Sequence, residues 1–275
     1  MTAAGLRTRA PRPAAAALVR RPDALAAAVA VGCQLAYPLT PARGIPALTV
    51  ATVVAFCAAS LLHAARSGGP AAALALLGVA GGVGLLAEAV GTATGFPFGR
   101  YDYTDRLGVR VADVPLLIPL AWTMMAWPAL LAGRLLARGR GAALVVGAWA
   151  LTAWDFFLDP QMVHAGFWVW RPGQVSLVGI PVVNWVGWFV VALLMLAALS
   201  WLLARLPGGL PDRDPRRAAV PLGLYLWTYV GSVVANLVFF GRPGVALLGG
   251  IGMAPVAAGV AVRWRAGRQR PPATA

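Results

Sequence analysis

Asp155 and Asp159 stand four residues apart in WDFFLDPQMVHAGFWVW, residues 154–170, a stretch that also brings His164, Trp154, Trp168 and Trp170 into a chain otherwise dominated by Ala, Leu, Val and Gly. Carboxyl groups in such surroundings can do proton chemistry. A helix C-terminus carries partial negative charge and a low-dielectric surrounding disfavours an ionised carboxylate, and a carboxyl that keeps its proton near neutral pH is a general acid. His164, with an ordinary pKa near 6.5, could act as a base or relay.

Six of the nine acidic residues, Glu88, Asp102, Asp105, Asp113, Asp155 and Asp159, fall between positions 88 and 159. Ionisable groups inside a bilayer cost at least about 2.5–3.5 kcal/mol near its centre, which makes each a functional candidate. Pro160 disfavours helical geometry at the residue before it, so the helix carrying Asp155 is expected to end at about Leu158, with Asp159 opening the following loop. The alternative for Asp155 and Glu88 is pairing with Arg100, Arg106 or Arg171 to tie loops together. In GFPFGRYDYTDRLG, residues 95–108, Tyr101 and Tyr103 offer amphipathic rings. Asp102 and Asp105 stand at i, i+3, but hard cations want six or more oxygens and no metal is expected there. Asn184, Asn236 and Gln34 each need a partner in lipid, for which hydrogen bonds between helices suffice.

Long apolar elements must hold these groups. The chain is 60% hydrophobic and 12% charged with a mean hydropathy of +0.74, against about 45–50% and 25% in globular proteins. It reads as an all-α polytopic integral membrane helix bundle. Spans of about 20 apolar residues are expected at 23–39, 46–65, 70–90, 114–137, 141–158, 180–204, 218–240 and 244–263. The domain plan is then a disordered basic cytoplasmic tail at 1–22, a single transmembrane helical domain at 23–264 and a basic C-terminal tail at 265–275. With both termini cytoplasmic, 17 of the 23 basic residues, all arginine, fall inside and six, Arg43, Arg100, Arg106, Arg110, Arg171 and Arg242, outside, as the positive-inside rule requires. The two richest loops, 91–113 and 159–179, then share the outer face. His63, near the inner end of the second span beside Arg66, reads as an interfacial residue.

The net charge of +14 is scattered between apolar runs rather than gathered on one face, which excludes nucleic acid as the expected partner. Cys33 and Cys57 fall inside apolar runs and read as small hydrophobes, not as a disulfide. A GxSxG elbow, a phosphate-binding glycine loop before a lysine and HExxH are all absent. The DFFLD spacing is similar to the DxxxD of membrane prenyltransferases, but YDYTD is a poor second aspartate motif. The absence of lysine and the alanine excess suggest a GC-rich, bacterial genome, and the cell membrane is the expected location.

The strings GFPFGRYDYTDRLG, VPLLIPLAWTMMAWPA, AWDFFLDPQMVHAGFWVW and GIPVVNWVGWF, spread over about 88–190, resemble the polytopic carotenoid-biosynthesis proteins that act as carotenoid 1,2-hydratases. The resemblance implies addition of water across the terminal double bond of a linear carotenoid lying in the bilayer, giving a tertiary alcohol without a cofactor. It also implies membrane lipid and other enzymes of the pathway as surroundings. On this reading Asp155 protonates the alkene, with Asp159 as the alternative acid or the group that orients water, and Glu88 joins the catalytic set. Trp154, Trp168, Trp170, Tyr101, Tyr103, Asp102, His164 and Asn184 form the substrate pocket, the aromatic faces attracting the developing cation by about 0.5–2 kcal/mol. A cyclase or prenyltransferase, and a transporter without chemistry, are the competing readings.

Overall fold

The computed structural model describes residues 21–269; the remainder of both expected tails, 1–20 and 270–275, lies outside these. Counting π-helical turns with the helices they interrupt, the described residues form, beside two short 3-10 turns, eight α-helices. These are α1 (Pro22–Ala36), α2 (Ile45–Gly68), α3 (Pro70–Thr94), α4 (Leu117–Leu136), α5 (Arg140–His164), α6 (Val182–Leu203), α7 (Ala219–Phe239) and α8 (Pro243–Gln269). Helix starts coincide with prolines at the first positions of α1, α2 and α3, where the missing N–H costs nothing. Gly95, at φ 84°, closes α3 in the left-handed conformation that glycine reaches without strain.

Six helices, α2, α3, α5, α6, α7 and α8, are long and apolar enough to cross a membrane, and the chain is an all-α polytopic membrane bundle. The reason α4 differs is its position. It packs against α2, α3, α5, α7 and α8, and every residue from Trp122 to Gly133 is buried, so it can carry Trp, Thr and Pro that a lipid-facing helix would carry less readily. At its C-terminal end α4 crosses α5 so closely that a Cβ on Gly133 would collide with the Ala143 carbonyl.

The expected end of α5 at Leu158 is corrected. The helix continues through Pro160 to His164. Proline removes one backbone donor, but Pro160 and Met162 are buried, and the Ala165 and Phe167 N–H groups bond the Gln161 and Met162 carbonyls at 3.0 Å each. Tertiary packing outweighs the local bias. Asp155 and Asp159 are therefore an i, i+4 pair on one helix face. Neither Asp155 nor Glu88 lies in the last turn of its helix, where the helix-end charge would act.

His63 is also corrected: it is buried, accepts from Trp127 Nε1 at Nδ1 (3.0 Å) and donates from Nε2 to the Arg217 carbonyl (2.8 Å), tying α2 and α4 to the loop before α7. Gln34 and Trp227 join α1 to α7 at 2.7 Å, an interhelical bond as expected. Asn236 instead donates to the Ser232 carbonyl of its own helix.

The loops contain short antiparallel ribbons that hydropathy does not reveal. Strand β1 (Tyr101–Tyr103) pairs β4 (Trp168–Trp170), β2 (Arg110–Val111) pairs β3 (Val114–Pro115) and β5 (Ser176–Leu177) pairs β6 (Ile180–Pro181). The β1–β4 register sets Tyr101 opposite Trp170 and Tyr103 opposite Trp168, so the two rich loops close over the bundle together.

Candidate functional site

Successive side chains of a strand point to opposite faces. In β1 and β4 that alternation turns Tyr101, Tyr103, Trp168 and Trp170 toward the bundle and leaves Asp102 and Val169 outside. Asp102 is gripped by Arg171 through two hydrogen bonds of 2.8 Å. The Arg171 guanidinium holds its carboxyl below the ordinary value.

The inward rings meet three buried carboxyls supplied by α3 and α5. Glu88 Oε2 accepts from the Tyr101 and Tyr103 hydroxyls, the latter at 2.8 Å, and Oε1 accepts from Trp122 Nε1 at 3.1 Å. Burial first, then the nearby Glu88 charge, pushes both tyrosines above their ordinary pKa, so they remain neutral donors. Asp159 Oδ1 accepts from Trp168 Nε1 at 2.6 Å and Trp170 Nε1 at 3.1 Å. Asn184, at the start of α6, spends both amide protons on α5, one on Asp155 Oδ2 at 2.8 Å and one on Asp159 Oδ2 at 2.7 Å. Asp155 Oδ1 is buried and has no partner among the described residues.

These bonds decide between two sequence readings. The loop arginines do not neutralise the buried acids: Arg171 takes Asp102, Arg110 takes Asp105, and Arg106 lies 5.7 Å from the Phe167 ring centre. Asp159 already accepts three N–H groups, a donor set that suits holding a negative charge better than binding a magnesium diphosphate.

A cavity of about 40 Å³ lies among Glu88, Tyr101, Tyr103, Trp122, Asp155, Asp159, Asn184 and Trp188. One water needs about 10–15 Å³ of such volume, so the space suits water. Its aromatic wall includes Trp122 stacked on Trp188 at 3.9 Å, with Phe98 6.4 Å from Trp188. The Trp122 position depends on Gly84 in α3, where a Cβ would sit 2.7 Å from the indole Cγ.

A second, larger cavity of about 460 Å³ lies between α1, α2, α4, α5 and α7, and its lining is mainly apolar. Ile118, Ala121, Leu158 and Trp168 line both cavities. The large one reaches residues exposed on the bundle's surface, Leu35 of α1, Leu39 just beyond it, and Val230 and Phe239 of α7, and so forms an apolar groove with exposed walls.

Of the residues expected at the site, Asp155, Asp159, Glu88, Tyr101, Tyr103, Trp168, Trp170 and Asn184 converge on the small cavity. Trp154 does not; it lines the groove and meets Trp188 edge-on at 6.0 Å. Asp102 and His164 stand apart from both of these cavities, Asp102 because strand alternation turns it outward, His164 because it is exposed at the end of α5. Trp122 and Trp188 were missed. For Trp188 a signal existed, since it stands four residues after Asn184 and shares its helix face; for Trp122 none did, because its role depends on how α3 meets α4.

Among known proteins, the bisanhydrobacterioruberin hydratase of Haloarcula japonica is 34% identical over 108 residues. That match covers 38% of this chain and 36% of the relative. No solved structure matches the chain. Residues 47–255 match the carotenoid biosynthesis protein family. That segment contains every helix and strand that supplies the three carboxyls and their donors, and the chain belongs to the carotenoid biosynthesis protein family.

Proposed function

We propose that the protein is a carotenoid hydratase, adding water across the terminal C1=C2 double bond of a linear carotenoid to give a tertiary alcohol. One observation carries this reading: an apolar groove with exposed walls abuts a water-sized cavity of acids and aromatic rings across Ile118, Ala121, Leu158 and Trp168. A rigid polyene slides into the groove from the bilayer of the cell membrane, and its end group meets the acids at that junction. The hydratase relative supports the reaction class.

In this mechanism Asp155 and Asp159 together carry one proton. Two ionised carboxylates about 5 Å apart would repel by about 3 kcal/mol at an effective dielectric of about 20. Asp159, with three N–H donors, keeps the charge, and Asp155, with an unpartnered oxygen, keeps the proton. Asp155 delivers it to the less substituted carbon of the alkene. The π electrons form the new C–H bond and leave a tertiary cation, which faces Trp122, Trp168 and Trp188. Water then forms the C–O bond, and the oxonium loses its extra proton. Neither electrons nor a cofactor are needed.

The test is expression in a host that accumulates a linear carotenoid such as lycopene, with mass analysis of the pigments. Hydration adds the mass of one water. Cyclisation, which starts from the same protonation, adds none. Pigments unchanged across suitable linear substrates would sink the proposal.

A further inference from the structure

We infer that Glu88 and Asn184 hold the attacking water, with Glu88 as the base that receives its proton. This rests on the hydratase reading and assigns the half of the reaction that Asp155 does not perform. A nucleophilic water must have its protons held by acceptors so that a lone pair faces the cation. Besides the tyrosine hydroxyls, which are committed as donors to Glu88, the small cavity offers two carbonyl-type acceptors outside the aspartate pair. Asn184 is a planar amide with both N–H bonds spent on α5. Its carbonyl therefore turns away from the aspartates, and Oδ1 accepts nothing among the described residues while the side chain is 1% exposed. Glu88 Oε1 accepts only from Trp122 and has a lone pair to spare. Glu88 Oε2, by contrast, is filled by two tyrosine hydroxyls.

The tyrosines and Trp122 give the Glu88 carboxylate three donors, which fix its orientation without using a cation. Among the described residues no arginine pairs with it. A carboxylate held by neutral donors keeps its charge available to a proton leaving the water. As the C–O bond forms, one O–H bond of the water breaks and the proton passes to Glu88 Oε1. The cycle leaves Asp155 deprotonated and Glu88 protonated, and the next water to enter the cavity returns the proton from one to the other.

The assignment separates two steps that an assay can read apart. In heavy water Asp155 places deuterium on the alkene, and the cation can lose a proton back to Asp155 without meeting water, so recovered polyene becomes labelled. Glu88→Gln should retain this exchange within about threefold while alcohol formation falls by a factor of about 100 or more, the typical worth of a positioned base. Asn184→Ala should show the same split, less steeply because it also loosens the aspartate pair, and it carries the test if Glu88→Gln does not reach the membrane. Exchange and alcohol falling in parallel in whichever variant accumulates, or alcohol persisting within threefold, overturns the assignment. Wild-type protein that makes no alcohol overturns the hydratase reading itself.

Discussion

Asp155→Asn removes the proton that starts the reaction and leaves the shape of the site in place. The amide oxygen replaces Oδ2 as the acceptor for Asn184, a bond of 2.8 Å, and the new NH2 takes the position of Oδ1, which has no partner among the described residues. A buried O–H without a partner is exchanged for an NH2 that adds one further N–H beside the water-sized cavity, so stability should change by about 1 kcal/mol. Activity should respond quite differently. Loss of a positioned acid costs about 10²–10⁴ in rate, equivalent to about 3–5 kcal/mol of barrier. The variant should therefore accumulate in the membrane at the wild-type level and melt within a few degrees of it, while the alcohol in pigment extracts falls below about 1% of wild type. Hydration at a tenth of the wild-type rate or faster would refute Asp155 as the acid.

Asp159→Asn should behave in the opposite way on stability. Whichever way the amide sits, its NH2 faces either the two indole N–H groups or the Asn184 N–H, at a cost of about 1–3 kcal/mol, so its melting temperature should fall well below that of Asp155→Asn; equal melting would contradict the hydrogen-bond assignment. Ala121→Phe adds bulk at a residue common to both cavities, for about 1–3 kcal/mol of overpacking, and should suppress hydration more than tenfold with every acid intact; wild-type turnover would show that substrate does not pass this junction. The Asp102–Arg171 pair lies outside the pocket, so Asp102→Asn should leave hydration within about twofold, which pigment analysis checks. Because Arg171 lowers the Asp102 carboxyl, its contribution to stability is present above the ordinary aspartate value of about 3.9 and is lost as pH falls through the lower folded value. Cleavage of the 91–113 loop by an acid protease should rise over that window in wild type and not in Asp102→Asn.

The helices were legible because a bilayer demands long apolar runs, and prolines and glycines mark their ends. The one substantial misreading, α5, came from applying a local rule at Pro160 where burial and the bonds around Met162 prevail. The carboxyls Glu88, Asp155 and Asp159 stood out against their apolar neighbours. Their partners did not, because Asn184 reaches α5 and Trp122 reaches α3 only through tertiary packing. The Y-D-Y and W-V-W patterns of β1 and β4 did contain the strand alternation that turns Asp102 outward. Without the pairing of the two loops, that alternation had no reference direction. The groove was invisible for a similar reason: its lining comes from five helices, and no single one carries a distinctive sequence.

Purified protein, a linear carotenoid and water enriched in oxygen-18 test the central claim most directly. Hydration predicts a tertiary alcohol heavier than the substrate by one labelled water, with the label on the hydroxyl oxygen. A product of unchanged mass, or an alcohol without the label, would contradict it.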